Sequence, residues 1–347
     1  MAIIKDKVSF VKSVGAIVNV DNGVIDKVFG KPQTVNTELI EYDTATVEGV
    51  LPEYNSFRNS ANIVTKNGKD TVKIAPVNFN DSISKDVLNA DAMKFGENEY
   101  GDGRVDPMME SMLNGVGRLH LNAMVGTKKV AYEALTTFKI AGGYEGKNGK
   151  EDIVFPVPAA NKEVLDGTTY KKWNDALGAA TPLDDIARAY DAMKIKPSFI
   201  IMNSTTYAKF INNSTVLTAD NTNGGKAKNF YQNTNIDGTK DFFFAGKLIY
   251  NHISLDVYVE KGVYKDKTGS TLPYMEDGYV TYTNAGNGIL YYGGIPKASK
   301  GGVKRIRAVF DVDEVITVNP PVDEVIYRTA PLPVLKQPEG FYSQKTF

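Results

Sequence analysis

The run DPMMESMLNGVGRLHLNAMVGTKKVAYEALTTFKIAGG, from Asp106 to Gly143, constrains this chain more than any other stretch. Met109, Met112, Val116, Leu119, Ala123, Val130, Ala134 and Phe138 recur at spacings of three, four and seven, the period of one buried helical face. Asp106 is an N-cap, Pro107 takes the first helical position, where its missing N–H costs nothing, and Glu110 puts negative charge in the first turn. Ala141-Gly142-Gly143 supplies the stop. The pattern predicts a helix over 106–140. At about 1.5 Å per residue, Pro107 to Ile140 would run roughly 50 Å. Helices average about 11–12 residues, so one of this length spans most of a domain and other elements must be arranged around it. Gly115, Gly117 and Gly126 interrupt the stripe, each costing roughly 0.5–1 kcal/mol against alanine. Close packing of another backbone against these turns accounts for them, and a helix that must bend is the alternative.

Chemistry is restricted by what the chain lacks. It has no cysteine, which excludes disulfides, thiolate metal sites and cysteine nucleophiles. Its two histidines, His120 and His252, exclude a multi-histidine zinc site, so no metal and no cofactor is expected. His120 reads as an ordinary helix residue and His252 as part of an alternating strand, KLIYNHISLDVYV. A net charge of −1 argues against a chain-wide affinity for nucleic acid or membrane. No apolar run approaches the length of a membrane span. The N-terminus, broken by Lys5, Lys7 and Lys12, does not read as a signal peptide, which predicts residence in a cytosol-like compartment or release by lysis.

Residues 1–47 read as an arm with no self-contained core, including a short amphipathic helix from Val8 to Val20 and a break at Gly30-Lys31-Pro32. Residues 48–79 read as an extended hairpin with polar turns at Asn59-Ser60 and Asn67-Gly68. A long two-stranded ribbon is marginal by itself in water, so it needs a surface, and its length favours a neighbouring copy. Residues 80–105 read as a polar connection with a short helix from Ser84 to Phe95 and a carboxylate-rich loop lacking calcium-ligand spacing. Two β segments follow around Gly146-Lys147-Asn148-Gly149.

Residues 181–295 read as an α/β domain. It begins with a helix from Thr181 to Ile195, with Thr181 as cap and Asp184 at the capping-box position, and continues with a buried strand at Ser198–Met202. No G-x-G-x-x-G or G-x-x-x-x-G-K-S/T occurs, so no phosphate cradle follows. In residues 296–347, Lys297 to Arg307 form a basic cluster that reads as a solvated strand edge. VDEVI occurs twice, at Val312 and at Val322, and predicts two short strands joined through Asn319-Pro320-Pro321. Asp313, Glu314, Asp323 and Glu324 are the corresponding carboxylate cluster, without a partner histidine.

Three patterns, taken in order, carry a resemblance. Arg328-Thr329-Ala330-Pro331-Leu332-Pro333-Val334-Leu335, then Pro338 and Phe341, form a terminal Ala-Pro-Leu, apolar strand, Pro, Phe pattern. Val257-Tyr258-Val259, Gly262-Val263-Tyr264, Leu272-Pro273 and Val280 form a strand, hairpin and strand. Pro182-Leu183-Asp184-Asp185-Ile186 opens a helix. With the layout of arm, hairpin, long helix, α/β domain and returning β segment, this resembles the major capsid proteins of tailed bacteriophages, closest to the phage lambda type with the Hong Kong 97 fold. The resemblance implies an α+β subunit with an N-terminal arm (1–47), an extended hairpin loop (48–79), a peripheral domain (80–180) with a spine helix over 106–140, an axial domain (181–295) and a C-terminal return to the peripheral domain (296–347). It implies self-assembly into hexamers and pentamers of an icosahedral head around the DNA genome. It implies a separate scaffolding protein, a portal and a decoration protein as partners, contact with DNA only non-specifically, and assembly in the host cytoplasm. Lys66 and Lys69 lie where some relatives carry a cross-linking lysine, but no acceptor pattern is present and no cross-link is expected. Tyr54, Phe57 and Arg58 are the residues expected to anchor the hairpin loop on a neighbour.

Two other classes compete. A shell of the same fold that stores cargo, as encapsulins do, would assemble without DNA. A carboxylate-dependent hydrolase on the α/β domain would need two carboxylates facing across a pocket, and among the 41 acidic residues none is singled out.

Overall fold

A computed structural model of the chain describes residues 22–45, 69–84, 107–146, 149–175, 180–213, 216, 230–299, 302–318 and 321–347. In chain order its strands are β1 (Gln33–Thr34), β2 (Ile40–Ala45), β3 (Lys69–Ile74) and β4 (Phe79–Ser84). The helix α1 (Pro107–Thr136) follows, then β5 (Lys139–Gly146), β6 (Gly149–Val154), β7 (Lys162–Val164), α2 (Pro182–Ala192), β8 (Phe199–Asn203) and α3 (Ser204–Ile211). Next come β9 (Phe230–Gln232), β10 (Phe242–Tyr250), β11 (Ile253–Glu260), β12 (Val263–Lys265), β13 (Thr271–Pro273), β14 (Tyr279–Thr283) and β15 (Gly288–Tyr292). The chain closes with β16 (Ile295–Ser299), β17 (Gly302–Ile306), β18 (Asp311–Val318), β19 (Pro321–Thr329), β20 (Pro331–Leu335) and β21 (Tyr342–Lys345).

The long helix is present, and from Val116 to Ala134 the predicted stripe is its buried face, while the side chains of Met109 and Met112 lie outside the described residues. Val116, Leu119 and Ala123 pack on Val312, Val325 and Tyr327. Val130, Ala131, Ala134 and Leu135 enter a second core with Phe155, Leu332 and Val334. The helix therefore lies across two sheets, which requires its length. It ends at Thr136, four residues short of the predicted Ile140. The Thr136 and Thr137 hydroxyls donate to the carbonyls of Tyr132 and Glu133, and Phe138 turns into the left-handed region at φ 55°. Lys139 onward then pairs with β6, and sheet pairing takes the residues that an isolated helix would have kept. Gly142, read as part of the helix stop, instead has φ 58° within a register shift of that hairpin. At Gly126 a Cβ would stand 2.8 Å from the Phe79 ring, so this glycine accommodates close packing, of a side chain rather than a backbone.

A seven-stranded mixed sheet in the order β7-β21-β14-β8-β11-β10-β9 forms the second centre. Its middle strand explains the uninterrupted apolar run FIIM. Phe199 and Ile201 face the core shared with α1, and Ile200 and Met202 face the core under α2, as a period of two dictates. The α2 helix forms as read from Pro182, with Asp184 and Asp185 in its first turn, but Thr181 makes no side-chain cap bond. Asp184 accepts a hydrogen bond from the Tyr250 hydroxyl at 2.7 Å instead of closing a capping box. Asn203 is the working cap of α3, accepting from the Thr206 N–H at 2.8 Å.

Four other readings change. KLIYNHISLDVYV is two strands, β10 and β11, joined at Asn251-His252, where Asn251 has φ 51°. The ribbon begins inside the presumed arm, since β2 pairs with β3 from Ile40↔Ile74 to Ala45↔Lys69. Val24, Ile25, Val28, Phe29, Ile40 and Tyr42 are buried in the chain's own core, so this part of the arm packs on its own subunit. Asn80 to Ser84, read as polar connection, belong to β4 and pair with β19. The C-terminal segment divides among four sheets: the pair β16-β17, β18-β19 with β4, β20 with β15, and β21 between β7 and β14. The two VDEVI strands pair with each other as predicted. The Val8–Val20 helix, the turns at Asn59-Ser60 and Asn67-Gly68, the carboxylate-rich loop from Glu97, and the helix beyond Ser84 lie outside the described residues.

Candidate functional site

The helix, strands and turns place the chemistry-bearing residues in structural roles. Among the described residues no cluster of three or more His, Asp or Glu is arranged for a metal ion. His120 is buried on α1, its Nδ1 2.6 Å from the Tyr327 hydroxyl of β19, with the Phe310 ring tilted against it at 4.9 Å between centroids. Burial lowers its pKa, which favours the neutral ring. His252 is exposed at the β10–β11 turn, 3.0 Å from Asp191. Asp313, one of the four VDEVI carboxylates, pairs with Lys297 and Arg328 at 2.9 Å each. These residues tie elements together and do not face each other across a cleft.

A fully buried polar node joins α1 to the seven-stranded sheet. Lys128 and Glu260 are both fully buried and 3.2 Å apart. The Tyr132 hydroxyl donates to the other Glu260 oxygen, and the Gly262 N–H donates to the first at 2.7 Å. The Lys128 ammonium also lies 4.5 Å from the centre of the Tyr274 ring. Desolvation raises the Glu260 pKa, opposed by Lys128, Tyr132 and Gly262. No sequence pattern pointed here, because Lys128 and Glu260 are 132 residues apart in the chain. Lys128 stands two residues from the stripe residue Val130 and so off the predicted apolar face.

A second network staples the edge of that sheet to α2. Glu163 accepts from Arg188, Gln344 and the Tyr342 hydroxyl at 2.9, 2.7 and 3.1 Å. Asp185 accepts from the Trp173 indole at 2.9 Å. Burial raises the Asp185 pKa.

Among the exposed apolar side chains are two on two-stranded hairpins. Val263 on β12 is 55% exposed and Val303 on β17 is 73% exposed. The ribbon β2–β3 flanks residues 46–68, and the anchors Tyr54, Phe57 and Arg58, with Lys66, lie in that segment outside the described residues. Lys69 is the first residue of β3.

A solved structure of the putative capsid protein of a prophage from E. coli CFT073 is similar over 99% of both chains, with a TM-score of 0.67 at 17% identity. A phage-related protein from Bordetella bronchiseptica RB50 (13% identity, 100% and 98% coverage, TM-score 0.48) and an encapsulin complex from Synechococcus elongatus PCC 7942 (8%, 96% and 94%, 0.45) are more distant. No curated protein matches. A long helix crossing a mixed sheet, with the β2–β3 ribbon beside it, is thus a Hong Kong 97-like fold. The family model described as Phage major capsid protein E matches residues 9–346, and the chain belongs to that family. It is a structural shell protein of a tailed phage, part of the virion, and it functions as a multimer.

Proposed function

We propose that the subunit assembles in the host cytoplasm as hexamers and pentamers, around a scaffolding protein and a portal, and that a decoration protein reinforces the finished head. Packaged DNA meets the shell only through non-specific contacts, and the chain carries no catalytic activity. Residues 181–295, with the inserted strand β21, meet their copies around the five-fold and six-fold axes. Residues 80–180, with α1, lie at the periphery.

The observation that carries this reading is the base of the ribbon. The ribbon closes in register from Ile40↔Ile74 to Ala45↔Lys69 and flanks a segment containing Tyr54, Phe57 and Arg58. Ile40 and Tyr42 seat the base on the subunit's own core, and the segment that it flanks meets a neighbouring copy in a head-to-tail contact that repeats around a ring. Negative-stain microscopy of the full chain, alone and with a scaffolding protein, tests it. Rings of five and six or closed particles are expected. A strictly monomeric protein under both conditions overturns the reading.

A further inference from the structure

The seven-stranded sheet is open at both ends. Its outermost strands are β7 and β9, and no described strand pairs with the outer edge of either. Both carry an exposed apolar side chain: Val164 on β7 is 69% exposed and Tyr231 on β9 is 45% exposed. Sheet edges are usually guarded by a charge or a proline. β9 reads Phe-Tyr-Gln and has neither. The lysine of β7, Lys162, places its ammonium 5.4 Å from the centre of its own subunit's Phe138 ring.

The two edges run in the same direction. β7 is parallel to β21, which is antiparallel to β14. β14 is antiparallel to β8, and β8 is parallel to β11. β10 then reverses the direction and β9 restores it. A second copy laid beside the first with the same face up therefore brings its β7 parallel to the first copy's β9.

Side chains and backbone agree with that arrangement. Helices α2 and α3 cover one face of the sheet. Glu163 reaches Arg188 on α2, so Val164 projects from the opposite face, the one that α1 crosses. Phe230 meets Phe210 on α3 with ring centres 5.7 Å apart, so Tyr231 projects from the α1 face too. The Leu165 N–H donates to the Lys345 carbonyl at 2.9 Å, so by alternation the Val164 N–H and C=O point away from the sheet. The Asn233 N–H donates to the Ala245 carbonyl at 2.8 Å, so the N–H and C=O of Phe230 and Gln232 point away at the other edge.

We propose that β9 of one subunit pairs in parallel with β7 of a second copy, continuing the sheet from subunit to subunit. Tyr231 stands opposite Val164 on the α1 face. The Val164 N–H donates to the Phe230 carbonyl, and the Gln232 N–H donates to the Val164 carbonyl. This rests on the shell reading and names one contact within it. Each copy offers a different edge, so the contact is heterologous and repeats.

Cysteine pairing in the full chain, which has no cysteine of its own, tests it. Val164→Cys combined with Tyr231→Cys is expected to give disulfide-linked ladders from assembled particles on non-reducing gels, and neither single variant is. Within one subunit the two positions lie six strand spacings apart, roughly 29 Å at about 4.8 Å each, beyond the reach of a disulfide. Gln232→Pro removes the outward N–H, a change that an edge strand tolerates. It is expected to lower particle yield on the order of tenfold, one hydrogen bond being lost at every contact, with subunit unfolding unchanged. Gln232→Ala keeps the N–H and is expected to assemble normally. Particles of the double-cysteine variant without ladders, ladders from a single variant, or full yield from Gln232→Pro overturn the contact and leave the shell reading standing. If the double-cysteine variant forms no particles, the proline and alanine variants decide. An unaltered chain that forms neither rings nor particles overturns both.

Discussion

Lys128 of the long helix and Glu260 at the end of β11 are both wholly buried, with the ammonium 3.2 Å from a carboxylate oxygen. Tyr132, one turn further along the helix, donates to the other oxygen, and Gly262 closes the carboxylate from the sheet side. This node fixes how the helix sits on the sheet, since a buried ion pair is tolerated only where charges and hydrogen bonds are matched in geometry. Removing one member leaves the other charged and unpaired. Lys128→Met or Glu260→Leu alone is expected to destabilise the subunit by about 3–5 kcal/mol. The double variant is expected to recover part of that loss. Denaturant unfolding of the four proteins gives the coupling directly, and an additive double variant would refute it.

Gly126 sets the distance between the helix and β4. A Cβ there would stand 2.8 Å from the Phe79 ring. Gly126→Ala is expected to lose about 1–3 kcal/mol from overpacking, against a gain of roughly 0.5–1 kcal/mol in helix propensity. With Phe79→Leu in the same chain the penalty should shrink. An alanine variant more stable than the unaltered protein would show that the ring moves aside without cost.

His120 makes the contact between the helix and β19 sensitive to acid. Burial lowers its pKa in the folded state, so the unfolded chain binds the proton first as pH falls. Stability from this group is therefore complete above the ordinary histidine value of about 6.5 and declines below it, with a slope of at most about 1.4 kcal/mol per pH unit. Urea midpoints of the unaltered protein and of His120→Gln, measured from about pH 5 to 8, should diverge in slope at the acid end. Parallel curves would remove His120 from the account.

Phe57 lies in the segment expected to reach a neighbour. Phe57→Ala is expected to reduce particle formation by a factor on the order of ten, the effect of losing an aromatic anchor worth above about 1 kcal/mol, with subunit unfolding unchanged. Equal assembly by the variant would relocate the anchor.

The readable parts of the fold were those whose pattern is local. The period of Val116 to Ala134 marked the buried helix face, the FIIM run marked a strand buried on both sides, and the repeated VDEVI marked two strands that do pair. The misread parts were those where two local preferences compete. Lys139 to Gly143 suits a helix end or a strand, and pairing with β6 decides it. The turn at Asn251-His252 hid inside a continuous alternation, although Asn251 in the left-handed region is the residue type that such turns favour. Thr181 and Asp184 had capping chemistry, but Tyr250 on another strand took the carboxylate.

The sequence alone determined the class of subunit: a long helix, an apolar central strand, a terminal Ala-Pro-Leu pattern, and no cysteine or histidine cluster for chemistry. Each of these follows from residue type and short-range spacing. Only the tertiary structure decided that Lys128 meets Glu260, that His120 meets Tyr327, that β21 enters the large sheet between β7 and β14, and that Val164 and Tyr231 share one face at its two edges. Those relationships join residues far apart in the chain, and their energies come from desolvation and register, which exist only once the backbone has brought the partners together.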